Sequence, residues 1–246
     1  MSPEKLMVLK QSNAILAGLP SVEWDRWKHF LMPLELNIND VIHEAKRQER
    51  FVYFPITCII SVQYDFEDGA TAEFAEIGNE GMTGTFIFAG DTATISHSTV
   101  ISKGLSYRID SNFIKYEFNH SSSFRRLILC YMQLLMLYTA QTAVCNRRHS
   151  ITQQLARVLL VNLDRIVGHD LIFTHELIAK SLGVRREGVT QAAQNLQNRG
   201  DIEYTRGNIF VKNRAGLMNS SCECYRIVRS ETDRLLCADN FLRSKA

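Results

Sequence analysis

The side chains of this chain best placed to do chemistry together are Arg185, Arg186, Glu187, Thr190 and Gln191. A guanidinium pairs bidentately with guanine, a carboxylate accepts from the cytosine amine, and a carboxamide pairs bidentately with adenine. Spread over two helical turns, these residues fall on the N-terminal face of one helix. The chemistry they imply is the reading of base edges in a major groove. Other reactive groups are less organised. The cysteines stand at 58, 130, 145, 222, 224 and 237, without the spacing of a disulfide framework. Cys222-x-Cys224 puts two thiols together, but a one-residue spacing is uncommon for zinc, and no Cys/His pair lies near it along the chain. The pair is therefore expected to be structural, and no metal is expected. His43, His97 and His120 are scattered, which gives no axial pair for haem. Gly78-x-x-Gly81-x-x-Gly84 lacks the Lys-Ser/Thr of a phosphate loop and is expected to be a turn. No nucleophile and base are paired by motif. A thiol hydrolase using Cys58 or Cys145 is the enzymatic alternative, and no catalytic residue or cofactor is expected.

The recognition face needs a scaffold, and residues 174–200 supply one. Thr174 can cap a short helix whose Leu177, Ile178 and Leu182 recur at helical spacing. Gly183 provides a left-handed stop, and Val184 can plug the angle between two helices. A second helix from about Arg185 turns Val189, Ala192, Ala193 and Leu196 inward, leaving the polar face outside. Residues 201–204 and 208–212 then read as two strands around a turn at Arg206-Gly207, a wing. An amphipathic helix over 152–167 opens this part of the chain.

The chain has 246 residues, enough for two cores, and a net charge of only +2. From residue 151 onward there are 14 Lys/Arg against 10 Asp/Glu, a balance of +4; the first 150 residues hold 14 and 16, a balance of −2. A weakly basic C-terminal part beside a weakly acidic one fits a nucleic-acid domain joined to something else. The opening residues show no apolar stretch of a secretory signal, and the irregular cysteines fit a reducing, cytosolic setting.

Residues 127–145 carry no charge over 19 positions, close to a bilayer span. Gln133, Thr139, Gln141 and Thr142 interrupt the stretch, and basic residues bracket it. Phe124, Leu127, Tyr131, Leu134, Tyr138, Gln141 and Cys145 follow spacings of 3 and 4, the pattern of a coiled-coil seam. A dimer helix burying that seam on its twin is expected, and no membrane. Before it, residues 34–119 are rich in β-formers and short turns, with Glu67-Asp68-Gly69 marking a hairpin. That pattern predicts an antiparallel roll. Residues 13–32 and 111–118 are expected to be helical, as is a C-terminal extension over 221–242 carrying Tyr225, Val228, Leu235 and Leu236.

The order β-roll, long helix, winged helix-turn-helix resembles the Crp/Fnr family of bacterial transcription regulators over about residues 13–216. Gly183-Val184-Arg185-Arg186-Glu187-Gly188-Val189-Thr190-Gln191 is similar to that family's G-x-S-R-E-x-V-x-R segment. The resemblance implies that Arg186 pairs with guanine and Glu187 accepts from cytosine. Gln191 replaces a second Arg and so shifts preference toward adenine, while Arg185 replaces Ser and adds a phosphate contact. Thr174 and His175 match positions that contact the DNA backbone. Cyclic AMP-binding members hold the ribose with a Glu and the phosphate with an Arg. Here the corresponding stretch is Gly78-Asn79-Glu80-Gly81-Met82-Thr83-Gly84-Thr85, and no Arg occurs between Gly81 and Tyr107. A buried phosphate without a guanidinium has little to offset its desolvation, so cyclic AMP is not the expected effector. The clustered N-terminal cysteines of the oxygen sensors are also missing.

The expectation is an α+β chain: an antiparallel β-roll sensor over 1–120, a dimerisation helix and hinge over 121–149, and a winged helix-turn-helix with a C-terminal extension over 150–246. It predicts a homodimeric regulator of palindromic double-stranded DNA, with DNA-facing residues Thr174, His175, Arg185, Arg186, Glu187, Thr190, Gln191 and Arg206. Its β-roll would sense an effector other than cyclic AMP, and an activator would also meet RNA polymerase. The alternative is a constitutive regulator whose degenerate sensor binds nothing.

Overall fold

The computed structural model describes residues 10–90, 93–166, 170–171, 173–205 and 207–236. Two short helices, α1 (Ala14–Ala17) and α2 (Ser21–Trp27), open the described chain. Asn13 caps α1 by accepting from the amides of Ile15 and Leu16, while its carboxamide donates to the carbonyls of Pro55 and Gly81. The sequence predicts helix throughout residues 13–32. The structure breaks it because Gly18 ends α1, Pro20 precedes α2, and Met32 already begins a strand.

The β-region is made of β1 (Met32–Leu36), β2 (Val41–His43), β3 (Phe51–Pro55), β4 (Ile59–Asp65), β5 (Thr71–Ile77), β6 (His97–Ser102) and β7 (Gly104–Asp110). One sheet has the order β1-β7-β3 and the other β2-β6-β4-β5. Both neighbours of β7 run antiparallel to it, with Leu34 opposite Ser106 and Tyr53 opposite Arg108. The hairpin between β4 and β5 turns at Gly69, whose φ of 81° suits glycine, and Asp68 accepts from the amide of Ala70.

Next come α3 (Ser111–His120), capped by Asp110, the long α4 (Ser122–Arg148) and α5 (Ile151–Leu163), started by a Ser150/Gln153 capping box. Strand β8 (Asp170–Leu171), α6 (His175–Leu182), α7 (Arg186–Asn198), β9 (Ile202–Thr205) and β10 (Asn208–Val211) follow, then α8 (Arg214–Ser220) and α9 (Cys224–Leu236).

The chain divides into two compact units. Of the described residues, the first takes in those within 10–62, 76–136 and 230–236, and the second those within 63–75 and 137–229. The first has a core around Trp27, whose ring meets Phe54, Phe113 and Phe124 edge-on. The ring nitrogen of Trp27 donates to buried Glu117, which also pairs with Arg26. Leu235 and Leu236, at the end of α9, belong to this core, and Tyr225 and Val228 of the same helix are also buried. The extension is thus helical as expected through Leu236, with its last residues outside the described part.

Helix α4 corrects the expected dimer seam. Phe124, Leu127, Tyr131 and Leu134 lie in the core of the first unit, and Tyr138 and Cys145 are buried within the single chain. Gln141 is half-buried, and its amide donates to the sulfur of Cys224. A heptad pattern shows that a stripe is buried, not what buries it, and here the chain itself does so. The exposed row of α4 is a different one, with Leu129 at 54%, Met136 at 70% and Val144 at 58% exposure. By length and composition alone the helix could cross a bilayer. Its Phe124–Leu134 side is instead taken up by the core of the first unit.

Candidate nucleic-acid interface

The second unit builds its exposed polar face from the inside. Val189, Ala192, Ala193 and Leu196 of α7 are all buried, the inward set expected from their spacing. Burial of the Val and Leu side chains contributes about 1.5–3 kcal/mol each. Gly188 allows the close approach of α5, since a Cβ there would lie 2.9 Å from the Ile151 side chain. Gly183 ends α6 at φ 64°, a left-handed geometry suited to glycine. Thr174 caps α6, its hydroxyl accepting from the amide of Leu177 at 3.1 Å.

This packing leaves Arg185, Arg186, Glu187 and Gln191 exposed at the first two turns of α7. Gln191 donates to the exposed Asn195 carboxamide at 3.3 Å, an arrangement readily exchanged for a base edge. The helix N-terminus adds free amides and a partial positive charge on the same side.

Two expected contact residues have other partners. His175 is 7% exposed, its ring stacked on Tyr204 at 4.1 Å and its Nδ1 3.0 Å from the Thr190 hydroxyl. Thr190 gives its one hydroxyl proton to the carbonyl of Arg186, so it accepts from His175, which must carry its proton on Nδ1. Burial, with the nearby Arg186 charge, holds the His175 pKa below its usual value and keeps the ring neutral. His175 and the Thr190 hydroxyl therefore connect α6, α7 and the wing. This is a positioning role that sequence spacing did not reveal.

The wing is a sheet of order β8-β10-β9, with Ile209 opposite both Leu171 and Tyr204. Strand β8 is absent from the sequence reading because two residues are too short to show a period. Tyr204 accepts from the amide of Gly207 through its hydroxyl at 3.2 Å, which fixes the turn. Arg206 lies outside the described residues.

In the first unit, the backbone of residues 78–82 is held by the chain's own groups. Glu80 turns back to accept from the Gly78 amide, and Asn13 donates to the Gly81 carbonyl. The Tyr131 hydroxyl donates to the Met82 carbonyl at 3.0 Å, and a Cβ on Gly81 would clash with the Tyr131 ring and hydroxyl. Burial pushes the Cys58 thiol up to about 11, which keeps it protonated near neutral pH.

Residues 153–220 match the Crp-like helix-turn-helix domain. No curated protein matches the chain in sequence. Among solved structures, FixK2 from Bradyrhizobium japonicum is similar at a TM-score of 0.64 and 14% identity, covering 78% of this chain and 98% of its own. TTHB099, a Crp-family transcriptional regulator from Thermus thermophilus, gives 0.63 and 16%, covering 76% and 96%. CLP, the c-di-GMP-responsive global regulator of Xanthomonas campestris, gives 0.61 and 14%, covering 78% and 99%. At these identities the likeness is one of fold.

Proposed function

We propose that this chain, which carries a Crp-like helix-turn-helix and shares its fold with Crp/Fnr-type regulators, acts as a homodimeric, sequence-specific transcription regulator in the cytoplasm. The observation that carries the reading is the exposed Arg185-Arg186-Glu187 and Gln191 face of α7, set on a fully buried inner face. Arg186 reads guanine, Glu187 accepts from cytosine and Gln191 reads adenine, while Arg185 and Thr174 hold phosphates. An activating role would bring RNA polymerase as a further partner.

The twin chain docks on the exposed row of α4. Leu129, Met136 and Ala143 recur every seven residues, flanked by Ala140 and Val144, all exposed in the single chain. Small residues toward the C-terminal half let two helices approach closely, and Met136 and Leu129 supply the apolar area. Two recognition helices related by a two-fold axis then read half-sites about one DNA turn apart.

The effector of the β-roll is one other than cyclic AMP, because no Arg occurs between Gly81 and Tyr107 to offset the desolvation of its phosphate. The same missing Arg supports a second reading, in which the β-roll binds nothing and the protein acts constitutively. Selection from a random DNA pool, with purified protein and no ligand, tests the proposal. Enrichment of a two-fold palindrome supports the constitutive dimer. Enrichment of an unpaired half-site argues against the dimer. A pool left unenriched, with or without cell metabolites, counts against the regulator itself.

A further inference from the structure

Four metal-binding side chains from distant parts of the sequence meet inside the second unit. Cys145 and His149 lie one turn apart at the end of α4, and the His149 amide donates to the Cys145 carbonyl. Cys222 and Cys224 lie at the start of α9. One ligand atom from each residue falls within 4.8 Å of all the others. The Cys145 and Cys222 sulfurs are 3.5 Å apart, and the Cys224 sulfur is 3.6 Å from His149 Nδ1.

These two spacings are close to the edges of a tetrahedron around one ion, and the other pairs lie within 4.8 Å. With Zn–S bonds of about 2.3 Å and a Zn–N bond of about 2.0–2.1 Å, tetrahedral edges come to about 3.8 Å for S···S and about 3.6 Å for S···N. An iron–sulfur cluster would need its ligands held apart by the width of the cluster, so the compact set favours a single ion. Three thiolates and an imidazole are soft and borderline donors, the set that selects zinc over magnesium or calcium.

The surroundings are those of a metal site as well. His149 Nε2 faces the Glu223 carboxylate at 3.2 Å, which fixes the proton there and leaves the Nδ1 lone pair for an ion. Gln141 donates to the Cys224 sulfur at 3.0 Å, an outer hydrogen bond of the kind that stabilises a bound thiolate. All three cysteines are buried, so water does not compete. Three thiolates, a neutral imidazole and a divalent ion sum to −1. Buried Arg157, a near neighbour of Cys145, carries the opposite charge.

We propose that Cys145, His149, Cys222 and Cys224 bind one tetrahedral zinc ion per chain. With four protein ligands and no open position, the site is structural, not catalytic. It would tie the end of α4 to the start of α9 immediately before Ser150, the cap of α5. It sets a metal against the expectation of none: Cys145 and His149, distant from Cys222-x-Cys224 along the sequence, lie beside it in the fold.

The test uses full-length protein purified with reductant. Elemental analysis should find about one zinc per chain in the wild type and in a Cys130→Ser control, and at least about tenfold less in Cys222→Ser/Cys224→Ser. If the double variant fails to fold, cobalt(II) added to the chelator-stripped wild type gives the second measurement. Intense d–d bands and a thiolate charge-transfer band are expected, and one equivalent of zinc should abolish both. A weak octahedral cobalt spectrum would overturn the proposal. So would full zinc content in the double variant, or a Cys145–Cys222 disulfide that forms with zinc in excess. DNA binding plays no part in the readout, so the site and the regulator reading stand or fall separately.

Discussion

Replacing Glu49 by Gln should stabilise the protein at neutral pH and leave it unchanged in acid. Glu49 is 5% exposed, and its Oε2 has no hydrogen-bond partner among the described residues. Burial pushes its carboxyl from 4.5 up to about 7, against a smaller opposing effect of Lys115. The folded carboxyl thus holds its proton more tightly than the unfolded one. Stability is greatest below the unfolded value of 4.5 and falls as pH rises to about 7, where the folded group has also ionised. At about 1.4 kcal/mol per tenfold change in proton affinity, the loss is about 3 kcal/mol. His43, lining the same small cavity with Arg47 and Arg50, is held at about 4 by burial. Its own contribution has the opposite slope, lost as pH falls from 6.5 toward 4, and the two largely mask each other between 4.5 and 6.5. The difference between wild type and Glu49→Gln removes His43 from the comparison. Urea unfolding followed by tryptophan fluorescence is the assay, because Trp24 and Trp27 both lie in the same unit as Glu49. The variant's gain should grow from near zero at about pH 4 to about 3 kcal/mol at about pH 8. A gain independent of pH, or one largest in acid, would refute the reasoning.

Other perturbations check other parts of the account. Gly81→Ala drives a methyl into the Tyr131 ring and hydroxyl, so it should destabilise the first unit by about 1–3 kcal/mol, read as a lower urea midpoint. Met136→Glu puts charge on the exposed row of α4 and should convert a dimer to monomer in light scattering, whereas Val22→Glu, on exposed α2, should leave it dimeric. His175→Phe keeps the ring stacked on Tyr204 but removes the proton donated to Thr190. It should weaken operator and random DNA alike by less than about 2 kcal/mol, as titrated by fluorescence anisotropy.

How much of this was legible in the sequence depended on the distance over which each signal acts. The recognition helix could be read because Val189, Ala192, Ala193 and Leu196 repeat at helical spacing and Gly183 marks the turn, all local signals. The long helix was legible as a helix, but not its partner: the 3–4 pattern from Phe124 to Cys145 is the same whether a twin or the chain's own core covers it. Residues 13–32 looked helical because their apolar content outweighed Gly18 and Pro20, which together divide the segment. His175 was matched by position and not by environment, and only the fold shows its stack on Tyr204. The metal-ligand set could not be found by motif, because 77 residues separate Cys145 from Cys222. The one local hint was that Cys145 and His149 stand four apart on a helix, with Cys222-x-Cys224 far downstream.

The central claim, base reading by the N-terminal face of α7, is tested most directly by a cycle of affinities. Wild type and Arg186→Ala are each titrated against the selected operator and against the same operator with its Arg186-facing G·C pair changed to A·T. The account predicts that Arg186→Ala loses about 1–3 kcal/mol on the operator and almost nothing on the changed site. An equal loss on both sequences would make Arg186 a phosphate contact and contradict the assignment.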